Sequence, residues 1–413
     1  MDNDRIIEIL REHKSPMYLY DAGIIQNQYA KLKECLPEQF EIFYSMKANP
    51  LLGICQLMKR LGSRVEVASE GELHTALAAG FPVRDIIFTS PGKTYEELSY
   101  AIESGIYSIN IESFEEFKIL QSIAIEKSKK VDVSIRINPD FDTSGASIKM
   151  SGGSTQFGID FKQAMEGMTA LIQSPHVNIK GIHVYMGTQI LNAEDVITTM
   201  DEIFKMALEI QGQTGINLKF IDLGGGFGVP YFKGDQELDL SALKSGVGRI
   251  WNHYRDKLEG VRIAVESGRF LMAEAGQFLS KVLYCKNSKG RSFVICDGGS
   301  NFHANSAFLG RHIRNNFPML ILGKENEPVM ETTVVGPLCT STDVIGQKVM
   351  LPAVEPGDVL VVEKSGAYGL TDSPMMFLSH PQPAEVLVLD NTVHILREHG
   401  RKEDFIEKQK GLV

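Results

Sequence analysis

Eight short β-rich runs, each followed by a helix-like stretch, recur between residues 42 and 268, and this rhythm constrains the fold more than any other feature. The runs are IFYSMKA (42–48), VEVAS (65–69), DIIFTSP (85–91), YSINIES (107–113), VDVSIRINP (131–139), KGIHVYMGT (180–188), KFIDLGGG (219–226) and RIAVESG (262–268). Between them lie pieces such as SEGELHTALAAG and SFEEFKILQSIAIEKSK. Ser69 and Ser113 each open such a piece, with Glu72 and Glu116 three residues on, the pattern of a capping box. Strands that alternate with helices form parallel sheets, and eight of them predict a (β/α)8 barrel over residues 26–270. After about residue 270 the pattern changes to runs such as LSKVLYCKN, RSFVICDGG, ETTVVG, KVMLPA, DVLVVEKSG and AEVLVLD, separated by Gly, Pro and Asp turns. These predict a second, all-β domain, an antiparallel meander folded as a sandwich or barrel over 271–413. The strand PMYLYDAG (16–23) precedes the barrel rhythm and is expected to pair with that domain, so residues 1–25 are assigned to it.

Composition narrows the function classes. A net charge of −10 without a basic block argues against nucleic acid as a partner. No apolar run approaches membrane-spanning length, and MDNDRIIEILREH is helix-like rather than a signal peptide. The five cysteines (Cys35, Cys55, Cys285, Cys296 and Cys339) have neither paired spacing nor a CxxC, so no metal site is expected. Reduced thiols in a cytoplasmic enzyme are the simplest reading.

In a parallel barrel, chemistry sits at the C-terminal ends of the strands. Lys47, in FYSMKANP, follows an apolar strand and precedes a Pro-containing stop. An amine there is either a solvated surface group or, if desolvated, a nucleophile toward aldehydes. Gly224, Gly225, Gly226 and Gly228 in IDLGGGFGVPY serve either a tight strand-to-helix turn or a phosphate cradle of backbone N–H groups. Glu266, at an apolar strand end, needs a partner. With Gly268 and Arg269 in VESGR it reads either as a structural ion pair or as a carboxylate and cation holding a charged cofactor. Cys339, in GPLCTSTD ahead of Asp343, reads as a small packing residue or a proton donor. Tyr368, in SGAYGL, either packs or offers its hydroxyl to a phosphate.

Taken together and in this order, the motifs resemble the fold-type III pyridoxal-phosphate decarboxylases, the group of diaminopimelate, ornithine and arginine decarboxylases, across essentially the whole chain. The resemblance implies an α/β fold, an alanine racemase-like (β/α)8 barrel with a C-terminal all-β domain, and pyridoxal 5'-phosphate as cofactor. It also implies that Lys47 forms the Schiff base, that Gly224, Gly225, Gly226, Arg269 and Tyr368 hold the phosphate, and that Glu266 meets the pyridine nitrogen. Gly268 belongs to the same cofactor-binding run. Cys339 then reaches the site from a partner subunit, with Asp343 in the same loop, which implies a homodimer with shared active sites.

Several positions depart from the family pattern. Tyr185 stands where a stacking His is usual, with His183 retained two residues earlier, and Thr188 replaces a phosphate-binding Ser. Thr340 follows the cysteine where diaminopimelate decarboxylases place a Glu for the distal ammonium. The segment DSPMMFLSHPQP offers Met375, Met376, Phe377 and His380 in place of a Tyr-Asn pair and an Arg. Recognition of a distal charge is therefore missing, and Thr340, Asp343 and Met376 are the expected substrate contacts. One branch of the family fits these departures, the glutamyl-acyl-carrier-protein decarboxylases of butirosin antibiotic biosynthesis, whose substrate hangs by its side chain from a carrier protein. RHIRNN (311–316) is a basic run suited to carrier docking or to a solvated helix face. The alternative substrate is a free diamino acid such as diaminopimelate. A racemase is disfavoured because that branch places an Arg where Glu266 stands, and a non-catalytic regulator because Lys47, Glu266, Arg269 and Cys339 are all retained.

Overall fold

The computed structural model describes residues 2–141, 148–149, 151–307 and 315–412. They form two compact units. The first comprises Gln28–Pro230 and Gln236–Phe270, and the second comprises the chain up to Asn27, Tyr231–Asp235 and the chain from Leu271 onward.

The first unit is the barrel. Strands Phe40–Ser45, Arg64–Val67, Ile86–Thr89, Ser108–Ile111, Val131–Asn138, Val177–His183, Phe220–Asp222 and Arg262–Ser267 pair in parallel, each with the next. Pairing of the last with the first closes the ring, with Val265 opposite Ile42. Each of the eight runs read from the sequence contributes one of these strands. Their β-branched and aromatic content suits strands buried on both faces. Phe43, Ile87, Phe220 and Ala264 meet in the interior, with Tyr107 packed against them. The Arg262 guanidinium lies 4.3 Å from the Tyr107 ring centroid and Lys180 Nζ lies 3.9 Å from it, so two cations contact the ring that packs against this interior.

The capping expectation holds in half. Ser69 and Ser113 do accept from the backbone N–H of Glu72 and Glu116. The two glutamates, however, reach one residue further back, to the N–H of Ala68 and Glu112. The reciprocal box forms instead at Thr94 and Glu97.

The second unit corrects the antiparallel meander. Its nine-stranded sheet is mixed. Met17–Asp21 runs antiparallel to Gly276–Ser288 but parallel to Ala384–Leu389, and Arg291–Cys296 runs parallel to Met330–Val335. The parallel pair arises because a strand from the N-terminus inserts between two strands from the C-terminal half. The helix-like N-terminus packs on this sheet. Helix Asn3–His13 lays Ile6 and Ile9 on Met17, Leu19, Leu279, Val361, Ala384 and Val386. Two strands went unread, Met319–Ile321 and Thr392–Arg397. Tyr231 joins this unit rather than the barrel because its ring packs 4.9 Å from that of Phe317. In the basic run 311–316, residues 311–314 lie outside the described residues. Among the described residues no helix is long and apolar enough to cross a membrane.

Gly181 pairs with Phe220, and a Cβ at 181 would lie 2.1 Å from the Phe220 carbonyl oxygen. Backbone cannot yield as a side chain tip can, so Gly181→Ala is expected to destabilise the chain by about 3 kcal/mol or more. Chemical denaturation checks this, and an unchanged midpoint would show that the two strands can separate without cost.

Candidate active site

Strand ends of the barrel bring five ionisable side chains together. Lys47 sits in the single turn Met46–Ala48 that ends the first strand, with its side chain 39% exposed. Its Nζ donates to both oxygens of Glu66, at 3.1 and 3.0 Å, and Glu66 is only 1% exposed. The same Nζ lies 5.9 Å from the Tyr185 ring centroid. His183, Asp222 and Glu266 come from three adjacent strands and are almost fully buried. His183 Nε2 lies 3.5 Å from Glu266 Oε1. Among the described residues neither imidazole nitrogen has a hydrogen-bond partner, nor do Glu266 Oε1 and Asp222 Oδ2.

Burial dominates the electrostatics. It raises the Glu266 carboxyl well above the usual carboxylate range, and the Asp222 and Glu66 charges add to the effect. It raises Asp222 as well. Burial holds His183 well below the ordinary imidazole value, aided by Arg136, Lys47 and Lys93. Tyr185 is raised by burial, so the ring facing Lys47 is neutral.

The glycine run is demanded by close backbone approach. A Cβ on Gly225 would lie 2.2 Å from the Glu266 carbonyl oxygen, and one on Gly224 2.4 Å from that of Val184. Gly224 and Gly226 also take positive φ, +62° and +104°. Glu266 N donates to Gly224 O at 2.7 Å, and Ile190 N donates to Gly226 O at 2.8 Å. The run is thus wedged between the Glu266 strand and the segment carrying Tyr185 and Thr188. Gly187–Thr188 pairs with Ile148–Lys149 as a short antiparallel ribbon. Gly268 has the same need, because its Cβ would meet that of Ala48 at 2.7 Å. Arg269 follows directly and opens the short helix Arg269–Met272.

Around this cluster runs a second, buried charge chain. Arg136 Nη1 donates to Glu112 Oε1 at 2.9 Å, and its guanidinium stacks 4.8 Å from the Phe157 ring centroid. The N–H of Glu112 donates to Glu116, whose other oxygen pairs with Lys93 Nζ at 2.7 Å.

The remaining predicted site residues belong to the second unit. Cys339 is an exposed free thiol in the turn between Gly336 and Asp343. Thr340 Oγ1 contacts Thr342 Oγ1 at 3.0 Å. Tyr368 holds a left-handed backbone (φ +55°), and its carbonyl accepts from Asn305 Nδ2 at 2.6 Å. Met376 is 68% exposed and leads an apolar stretch with Phe377 and Leu378. Asp343 is a correction. The carboxylate expected to meet substrate is 2% exposed and accepts from Ser300 N at 2.7 Å and Leu338 N at 2.8 Å. Both oxygens are thereby committed to holding the Cys339 turn.

Lys47 and Glu266, both singled out in the sequence, come together with Glu66, Asp222, Arg136 and a buried His183, which the sequence reading did not assign to the cluster. The signal was present, since each is a charged or polar residue set inside an apolar strand run, the criterion that singled out Glu266.

The pyridoxal-dependent decarboxylase family, through its pyridoxal binding domain, matches residues 22–273. The chain belongs to the pyridoxal-dependent decarboxylases. It is 39% identical over 414 residues to the L-glutamyl-[BtrI acyl-carrier protein] decarboxylase of Niallia circulans, covering 99% of this chain and 97% of that protein. It is 31% identical over 403 residues to a diaminopimelate decarboxylase of Helicobacter pylori, with 96% of each covered. Among solved structures, the Helicobacter pylori diaminopimelate decarboxylase complexed with L-lysine superposes with a TM-score of 0.88 at 30% identity, covering 97% of this chain and 98% of that one. The enzyme is accordingly a carboxy-lyase that uses pyridoxal phosphate, on the alanine racemase-like barrel. The residues present fit that cofactor. The buried Glu266 Oε1, without a hydrogen-bond partner among the described residues, suits a ring N–H, and the glycine run leaves room where side chains would block it.

Glu72, beside Glu66, is pushed up to about 7, first by burial. An acid raised on folding contributes stability that is present at low pH and lost as pH rises through the raised value. The thermal midpoint of the cofactor-free chain should fall as pH rises through neutrality, and Glu72→Gln should flatten part of that slope. A midpoint independent of pH across neutrality would contradict the raised carboxyls.

Proposed function

We propose that this enzyme removes the α-carboxylate of an amino acid tethered through its side chain, with a glutamyl thioester of an acyl carrier protein as the substrate class. The observation that carries the reading is Thr340 after Cys339, together with the apolar stretch Met375–Phe377, where a distal ammonium would need a carboxylate. A missing partner for a desolvated charge costs several kcal/mol of recognition, roughly, whereas a tethered side chain has no such charge to satisfy. The similarity to the glutamyl-carrier-protein decarboxylase supports the same choice. Similarity to the diaminopimelate decarboxylases keeps a free diamino acid as the second reading.

Roles follow from the geometry. Lys47 Nζ is the amine that holds the cofactor, and Glu66, 3.0 Å away, orients it and accepts the proton it loses as a nucleophile. Glu266 would meet the ring nitrogen, Tyr185 would lie along the ring, and Gly224–Gly226, Gly268, Arg269 and Thr188 would hold the phosphate. When bound, the protonated cofactor ring is the electron sink for the electrons left at Cα as CO2 departs. Glu266 favours the protonated ring because its carboxylate is the desolvated counter-charge. Cys339, contributed by a second copy of the chain, gives its thiol proton to Cα, while Asp343 fixes the turn that carries it. Thr340 and Met376 line the substrate side. A homodimer with shared sites is part of this reading, as is a cytoplasmic setting, in which the five free thiols stay reduced.

CO2 release should occur with a glutamyl-carrier-protein thioester and not with free diaminopimelate, lysine or ornithine. Release from a free diamino acid at comparable rate would overturn the tethered-substrate reading. Lys47→Ala should abolish release, and Cys339→Ala should slow it by about 10²- to 10⁴-fold, the usual worth of a placed proton donor. Mixing Lys47→Ala and Cys339→Ala chains should restore part of the activity if the two residues act across a dimer, and none if each site is built from one chain.

A further inference from the structure

The floor of the site holds more acid than a single ring nitrogen requires. Asp222 and Glu266 lie on adjacent strands, Asp222 opposite Ala264, two residues before Glu266, whose N–H donates to Gly224 O at 2.7 Å. One polar atom from each, and one from His183 on the next strand, all lie within 4.8 Å of one another. Asp222 Oδ1 is committed to Gly224 N at 3.0 Å, which leaves Oδ2 to face the cluster. That Oδ2, Glu266 Oε1 and both His183 nitrogens are buried without a hydrogen-bond partner among the described residues. The charged groups nearest the cluster are Lys47, Glu66, Arg136 and Lys93. Each of the cations is engaged by a carboxylate of its own, Lys47 by Glu66, Arg136 by Glu112 and Lys93 by Glu116.

Two desolvated carboxylates at this separation cannot both remain ionised, and like acids in such a site share a proton. The proton does not pass to His183, because burial and the three cations disfavour the imidazolium.

We propose that Asp222 is a positioning residue for Glu266: the two carboxyls share one proton, which with the cofactor in place resides on Asp222 Oδ2 and is donated to Glu266. Glu266 then offers its charge in one direction, toward the ring nitrogen, and His183 stays a neutral wall. No bond is made or broken, and one proton bridges two acids. The assignment of the ring nitrogen to Glu266 rests on the cofactor reading above, but the shared proton does not.

Infrared difference spectroscopy on the full chain tests the pair, because a protonated carboxylic acid has a carbonyl stretch separate from carboxylate and amide bands. With pyridoxal phosphate bound, a protonated-acid band at neutral pH should be lost in Asp222→Asn and kept in Glu72→Gln. Asparagine retains the oxygen that Gly224 N needs, so the glycine turn is preserved. A band unchanged by Asp222→Asn, or no such band, overturns the proposal. In the chain stripped of cofactor, the band should disappear in the double variant Asp222→Asn/Glu266→Gln. Visible absorbance of bound cofactor reads the cofactor assignment separately. A chain that takes up no cofactor yet loses the band in the double variant would refute the cofactor reading and support the shared proton. A chain that takes up cofactor without an Asp222-dependent band does the reverse.

Discussion

Everything at this site depends on desolvated carboxylates gathered around one lysine. Glu66, Asp222 and Glu266 lie within a closed barrel and are almost fully buried. In water such acids would be independent. In a low-dielectric setting each one's charge sets the protonation of the next, and Lys47 is held by both oxygens of Glu66. The arrangement is costly to folding and suited to chemistry, since groups kept from their preferred partners are the ones that respond when a charged cofactor arrives.

The barrel was legible because a parallel strand buried on both faces has to be a short apolar run, and the crossover to the next strand has to be helical. Both marks recur eight times between Ile42 and Gly268. The second unit was legible only in part. Strand existence is written locally, in β-branched runs and Gly or Pro turns, but pairing partners are not. Nothing in PMYLYDAG says that its neighbour on one side is a strand 367 residues later running the same way, with Met17 opposite Ala384. The short strands Met319–Ile321 and Thr392–Arg397 lack the length or the alternation that would mark them, and exist because neighbouring edges recruit them.

Site residues divide along the same line. Lys47, Glu266 and the glycine run stand at strand ends, where topology places chemistry, and were readable. Glu66 and Asp222 escaped because a single acid in a strand of three or four residues looks like an outward-facing residue, and only closure of the ring turns it inward. Asp343 was misread for the opposite reason. Its neighbours in sequence, a Gly-Pro turn and a cysteine, suggested chemistry, while one of the groups that claims its carboxylate is the N–H of Ser300, far away in the chain.

Unsatisfied side chains need rigid backbone beneath them, since a flexible site would relax until its polar atoms found partners. Here that rigidity comes from glycine contacts rather than from side-chain hydrogen bonds. Gly268 is held against Ala48, which ties the end of the Glu266 strand to the Lys47 turn, and Gly225 is held against the Glu266 carbonyl. Gly224 closes the third side against Val184, next to Tyr185. Three backbone segments carrying the amine, the acid and the aromatic ring are thereby fixed at van der Waals distance, with no side chain between them to act as a spacer. The glycine run makes the tight turn that the sequence presented as one of its two readings, and with Gly268 it holds Lys47, Glu266 and Tyr185 in a geometry that their own side-chain contacts do not enforce.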